Sequence, residues 1–269
     1  MSDFVLAHFT DPHVTTEGTR LKNGVDSNQR LLAAIERLLS LRISANAAVF
    51  TGDLVDRGNP AEYQMFERLI QPLRHQMPVY LLLGNHDHRA HFLSNTPATP
   101  TASAVQQHDW IQFSVPLCPG HRLIALDSVE HGQDAGFLCP TRLTWLEETL
   151  DRFAHEEILL AVHHPPIRSG NERFDGIGLT NAHALESVLE PRTNIRLVIC
   201  GHLHRAVSGW IAHSPVVSAP STAHPYAIDH AIDFKGSPDD ELPGFALHRL
   251  IDRCRWVSHQ VWFYPAKAT

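Results

Sequence analysis

Short apolar runs recur along the chain, and most are bounded by polar or turn-forming residues. Phe4–Phe9, Ala47–Thr51, Val79–Leu83, Leu123–Leu126, Ile158–Val162 and Leu197–Cys200 read as buried strands. Between them the spacing changes to that of helices. From Gln29 to Leu41 the residues Leu31, Leu32, Ile35, Leu38 and Leu39 mark one face, with Asp26 or Ser27 as the cap. Pro60 opens a second helix through Tyr63, Phe66, Leu69 and Ile70. Thr141–Phe153 and Asn181–Leu189 give two more. Strands that alternate with helices predict an α/β fold. After Ser208, Ile211–Val217, Phe245–Leu250 and Trp256–Phe263 read as further strands. His224–Gly244, rich in Pro, Asp and Gly, reads as a long excursion: a cap, a subunit contact or a plain surface loop.

The polar residues that follow the strands carry the chemistry. Asp11-Pro12-His13 follows the first run, Gly52-Asp53-Leu54-Val55-Asp56 the second and Gly84-Asn85-His86-Asp87 the third. His163-His164-Pro165-Pro166 and Gly201-His202-Leu203-His204 follow the fifth and sixth. All five clusters hold metal-ligand residue types just past the carboxyl end of a strand, the edge at which open α/β sheets bind ligands. Imidazole nitrogen and carboxylate oxygen together suit zinc, manganese or iron. A shared carboxylate can bridge two such ions, about 3.5–4 Å apart.

Composition narrows the partners. The 269 residues allow one large domain, and 43% of them are apolar, enough for a sizeable core. Lys and Arg number 22 against 29 Asp and Glu, a net charge of −7 with His neutral. That balance argues against a nucleic-acid partner, although bound metal ions can still draw a small phosphate ester. Cys118, Cys139, Cys200 and Cys254 are scattered and predict neither a disulfide framework nor a zinc knuckle. The first residues carry no basic region and their apolar run ends at Phe9, so neither a signal peptide nor a membrane span is expected; cytoplasm is the default location. Of the twenty histidines, His75, His108, His155, His248 and His259 are expected at the surface.

Taken together and in order, the five motifs resemble those of the calcineurin-like metallophosphoesterase superfamily, across Asp11 to His204. The resemblance implies a layered α/β/β/α sandwich of two mixed sheets flanked by helices, with residues 1–269 as one domain. It implies two divalent metal ions, of iron, manganese or zinc. Asp11, His13 and His204 would hold the first, Asp53 would bridge, and Asn85, His163 and His202 would complete the second. His86 would be catalytic, and Asn85 and His86 would contact substrate.

Other assignments are less determined by the motifs. Asp56 and Asp87 are candidates to orient ligand imidazoles, Asp87 equally to cap a turn; His164 either faces the pocket or acts as a spacer. Gly52–Gly58 also resembles a motif of protein serine/threonine phosphatases in which the arginine contacts phosphate, but the later histidine motifs differ, and Arg57 reads better as an ion-pair or surface residue. The later motifs, with Gly170–Asp175, resemble class III cyclic nucleotide phosphodiesterases and bacterial glycerophosphodiesterases. The expected reaction is hydrolysis of a small phosphodiester, foremost 3′,5′-cyclic AMP to AMP, by a hydroxide that two metals activate. A glycerophosphodiester or a broad range of diesters is the alternative. Phe92, Phe174 and Tyr226 can each stack on a base or simply pack. No membrane partner is expected, and the late excursion is compatible with a homo-oligomer.

Overall fold

The computed structural model describes residues 4–96, 110–226, 241–252 and 255–264. Two mixed sheets lie face to face. The first has the order β11-β10-β1-β2-β3, where β1 is Phe4–Phe9, β2 Ala47–Thr51, β3 Val79–Leu82, β10 Gly244–Ile251 and β11 Arg255–Trp262. The second has the order β4-β5-β6-β7-β9-β8. It comprises β4 Phe113–Cys118, β5 His121–Leu126, β6 Glu157–Val162, β7 Ile195–Cys200, β8 Val207–Ile211 and β9 Ser214–Ser218. β1, β2 and β3 are parallel, as are β5, β6, β7 and β9; β10, β11, β4 and β8 run antiparallel to their neighbours.

Helices cover both outer faces. α1 (Ser27–Ser40) buries Leu31, Ala34, Ile35 and Leu38, and its cap is Asp26, whose carboxylate accepts from Gln29 N at 3.1 Å. α2 (Pro60–Arg74) starts on its proline, with Glu62 reaching back to the Asn59 N–H at 3.0 Å. These two pack with α3 (Arg89–Asn95) against the first sheet. α4 (Pro140–Arg152) and α6 (Ala182–Leu189) cover the second sheet, and α5 (Glu172–Ile177) is a short helix beyond β6. Between the sheets Leu6, Val49, Leu82, Leu123, Leu159, Leu197 and Ile199 form a third core. The expected α/β/β/α sandwich of two mixed sheets is the observed architecture.

Several details depart from the sequence reading. β4 escapes the apolar pattern because Pro116 lies inside it; the strand sits at a sheet edge, where proline is tolerated, and its register with β5 shifts directly after Pro116. The single strand expected at Ile211–Val217 is the end of β8 and most of β9, separated by a tight turn in which Ala212 takes φ 48° without a glycine or asparagine to announce it. His248 is not a surface residue. It is fully buried between the sheets, its Nδ1 bonded to Ser258 Oγ at 2.7 Å and its Nε2 to His8 Nδ1 at 3.0 Å. His8 passes the chain on to Thr51 Oγ1 at 2.9 Å. His108 and most of the late excursion, 227–240, lie outside the described residues.

Candidate metal centre

The five motif loops leave the carboxyl ends of β1, β2, β3, β6 and β7, three from one sheet and two from the other. The first two loops stay bonded to each other, Asp11 N to Gly52 O at 3.1 Å and His13 N to Asp53 O at 3.0 Å. Asp11, His13, Asp53, His202 and His204 all have left-handed φ, between 43° and 68°. Such a backbone costs a residue with a Cβ roughly 1–2 kcal/mol, and strain of this kind collects where function over-determines geometry. The glycines before Asn85 and His202 allow close contact. A Cβ on Gly84 would lie 2.2 Å from Asp53 Oδ1, and one on Gly201 would lie 1.9 Å from Thr10 Oγ1.

The side chains converge in two groups. In one, His13 Nε2 is 3.1 Å from His204 Nε2 and 3.6 Å from Asp53 Oδ2, and His204 Nε2 is 3.6 Å from Asp11 Oδ1. In the other, Asn85 Oδ1 lies 3.2 Å from His163 Nε2 and 3.0 Å from His202 Nδ1; His163 Nε2 lies 3.6 Å from Asp53 Oδ1. The two oxygens of Asp53 thus face different groups. All seven predicted ligand residues are brought together, and Asp11, His13, Asp53 and His204 form a buried cluster able to hold a metal ion.

Outer partners set the tautomers. His163 Nδ1 donates to Thr51 O at 2.7 Å, and His204 Nδ1 donates to His224 O at 2.8 Å. Each ring therefore turns an unprotonated Nε2 to the centre. His202 is reversed: Nδ1 faces inward, and Nε2 is buried beside the Ile177 backbone without a hydrogen bond of normal geometry. Asp56 lies 3.8 Å from His13 Nδ1, in ion-pair range but too far for a hydrogen bond. Asp11 Oδ2 accepts from Thr10 Oγ1 at 2.7 Å and from His202 N at 2.9 Å.

The electrostatics suit a cation. Burial, and then neighbouring imidazoles, holds His13 and His204 well below the ordinary histidine range; His202 is lowered to about 3. These rings stand neutral, with lone pairs available. Burial and the Asp53 charge raise Asp11 well above the carboxylate range, whereas the imidazoles of His163 and His86 outweigh burial and lower Asp53. Two buried carboxylates among neutral imidazoles that expose lone pairs are a donor set that a divalent ion completes.

Around this centre the remaining predicted residues fall into place. His86 stands at the mouth. Its backbone N–H donates to Asp53 Oδ1 at 2.9 Å and its Nδ1 to Asp56 O at 2.7 Å. Burial alone would lower its pKa; Asp53, the Asp56 carbonyl, and the Asp56 and Asp87 charges raise it to about 9. Asp87 orients no imidazole. It caps the turn, accepting from Gly84 N at 2.9 Å, Leu54 N at 3.1 Å and Tyr63 OH at 3.0 Å, so it ties the Asp53 loop to the Asn85 loop. His164 has both nitrogens engaged, with Ser128 Oγ at 2.8 Å and Asp134 O at 3.2 Å, and walls the site. Arg57 is exposed beside Asp56. Phe92 is core packing against Tyr63.

Sequence reasoning names Tyr226 as a ring that can stack or pack and starts the late excursion at His224, but it does not place Ser221 or His224 at the centre. Ser221 Oγ donates to Asp11 O at 2.8 Å, and His224 is buried with its ring 4.7 Å from that of His204. No local pattern announces that placement; only the return of the chain from β9 toward β1 brings them there.

The model of the calcineurin-like phosphoesterase family matches residues 4–206. A glycerophosphodiester phosphodiesterase, GpdQ, of Enterobacter lignolyticus is 29% identical over 257 residues, 95% of this chain and 90% of its own. A cAMP/cGMP dual specificity phosphodiesterase of Mycobacterium tuberculosis is 33% identical over 228 residues, 82% of this chain and 68% of its own. The 3′,5′-cyclic adenosine monophosphate phosphodiesterase CpdA of Pseudomonas aeruginosa is 29% identical over 254 residues, 94% of this chain and 84% of its own. Among solved structures, a dimetal phosphatase from Danio rerio superposes with a TM-score of 0.66 at 14% identity, over 97% of this chain and 99% of that one; the likeness is one of fold.

Proposed function

The chain belongs to the calcineurin-like phosphoesterase family, and on that premise we propose that it is a two-metal phosphodiesterase whose substrate is 3′,5′-cyclic AMP. The observation that carries the reading is the Asp53 carboxylate, whose two oxygens face two separate groups of donors. Asp11, His13, Asp53 and His204 would hold one divalent ion. Asp53, Asn85, His163 and His202 would hold the other. Iron, manganese and zinc all suit these ligands. Such a pair lowers the pKa of water and clamps the attacking and leaving oxygens of a phosphoryl centre.

The protein's own part is positioning and proton transfer. Asn85 turns its carbonyl oxygen inward, which leaves its amide N–H groups for a phosphoryl oxygen. His86 keeps Nδ1–H on the Asp56 carbonyl, and because its pKa is raised to about 9 the ring is an imidazolium, whose second proton, on Nε2, would pass to the leaving ribose oxygen as the P–O bond breaks. Similarity to relatives named for cyclic nucleotides supports a cyclic nucleotide as the substrate. Similarity to the glycerophosphodiester phosphodiesterase makes a glycerophosphodiester the competing substrate. Among the described residues no helix is long and apolar enough to cross a membrane.

The test is steady-state hydrolysis by the manganese-reconstituted protein of 3′,5′-cyclic AMP, 2′,3′-cyclic AMP, glycerophosphocholine and a nitrophenyl diester. The reading expects the highest kcat/KM for 3′,5′-cyclic AMP. A preference for glycerophosphocholine would keep the reaction class and overturn the substrate.

A further inference from the structure

The mouth of the centre has two chemically different ends. A row of rings joins them through the buried centre: His86 to His13, with centroids 4.6 Å apart, His13 to His204, 5.0 Å, and His204 to Tyr226, 4.5 Å; His86 and Tyr226, at its ends, are the members that reach the surface. The row starts on the residue that faces the leaving oxygen and ends on a phenol ring.

Tyr226 is half-buried and firmly held. Phe174 on α5 braces it with ring centroids 5.2 Å apart, and His224 meets it edge-on at 5.0 Å. The backbone behind it is pinned as well. Arg205 donates to the Tyr226 carbonyl and pairs with Glu241 at 2.7 Å; Arg30 donates to the Ala223 carbonyl. A partly exposed aromatic ring braced by its neighbours against a residue of the centre is a surface suited to contact, since a held side chain loses less freedom when a ligand packs on it.

A phosphodiester carries two substituents. If one leaves at the His86 end, the other remains on phosphorus and projects elsewhere over the centre. We propose that Tyr226 is a specificity-determining residue that packs against this retained substituent and favours planar or ring-containing groups over small alkyl ones. The assignment rests on the phosphodiesterase reading but not on cyclic AMP as the substrate.

Two synthetic esters isolate the effect. Bis(nitrophenyl) phosphate and methyl nitrophenyl phosphate expel the same nitrophenolate and differ only in the group that stays behind. The manganese-loaded full chain is assayed as wild type, Tyr226→Phe and Tyr226→Leu, with metal content measured for each. In Tyr226→Leu the ratio of kcat/KM for the aryl ester over the methyl ester should fall roughly three- to tenfold, the size of one aromatic contact, with the loss mainly in KM. Tyr226→Phe, which keeps the ring, should hold the ratio within about twofold. An unchanged ratio in Tyr226→Leu overturns the assignment. So does an equal loss on both esters, which would make Tyr226 a prop for His204. A wild type inactive on both esters and on the cyclic nucleotides and glycerophosphocholine, with metal bound, removes the phosphodiesterase reading itself and this assignment with it.

Discussion

The buried pair His8 and His248 should make stability fall steeply in mild acid, and one substitution measures its share. Both rings are fully buried; burial, and then the neighbouring His259, lowers His248 to about 3, and His8 lies well below the ordinary range. In the unfolded chain each returns to 6.5. The folded value is the depressed one, so the unfolded chain takes up protons first. Stability is complete above pH 6.5 and is lost as pH falls, the His248 share ceasing near pH 3. Between pH 7.5 and pH 5 one such histidine costs about 2 kcal/mol, a figure set by its unfolded pKa because the folded ring stays neutral throughout. His248→Gln keeps a donor and an acceptor in the chain of hydrogen bonds but cannot titrate. Its unfolding free energy, from urea melts followed by tryptophan fluorescence at equal metal loading, should depend on pH less steeply than wild type. The slope between pH 6 and pH 5 should be smaller by about 1.2 kcal/mol per pH unit. His155→Gln, at an exposed position, is the control. Parallel slopes for wild type and His248→Gln would refute the reasoning.

Further expectations concern the centre itself. Asp53→Ala should lose metal at both sites by elemental analysis; two full equivalents retained would end its bridging role. His86→Ala should retain metal and lose turnover by roughly 10²–10⁴-fold on a diester with a poor leaving group, and an unchanged kcat would remove it from the chemistry. In EDTA-treated protein the His86 imidazole should titrate near 9, while His202 stays neutral down to about 3; ¹H–¹⁵N spectra of labelled histidine read both. Gly84→Ala should cost roughly a hundredfold in kcat/KM. The new Cβ, 2.2 Å from Asp53 Oδ1, must push that carboxylate by about 1 Å, the scale at which misplacement becomes expensive. Full activity in Gly84→Ala would show that the loop yields freely.

The ligand residue types and the strands that carry them were legible because both are local signals. β1 and β2 match the apolar runs to the residue, and the motifs sit directly after them. What was hidden depends on contacts between distant parts of the chain. Asp11 meets His202 across 191 positions, and nothing in either motif states that His202 turns Nδ1 rather than Nε2 inward. Asp87 resembles an outer partner in sequence, yet its three bonds go to two loop amides and a helix phenol. His248 looked like a surface residue because histidine alternates with apolar neighbours on β10, whereas β10 is covered on both sides. β4 and α3 were missed because a proline interrupts one and the other is a seven-residue helix.

The imidazoles of His163 and His204 are oriented by main-chain carbonyls, those of Thr51 and His224, not by carboxylate side chains. A carbonyl of the backbone is present whatever residue occupies the position. Mutation therefore has little grip on the electron donation of these two rings, and drift at Thr51 or His224 would alter packing before it altered the metal. His13 has no such bond at its outer nitrogen, where the Asp56 carboxylate stands 3.8 Å away, in ion-pair range only. A substitution at Asp56 would change the electrostatic field at His13, whereas the orientation of His163 and His204 follows from the path of the main chain.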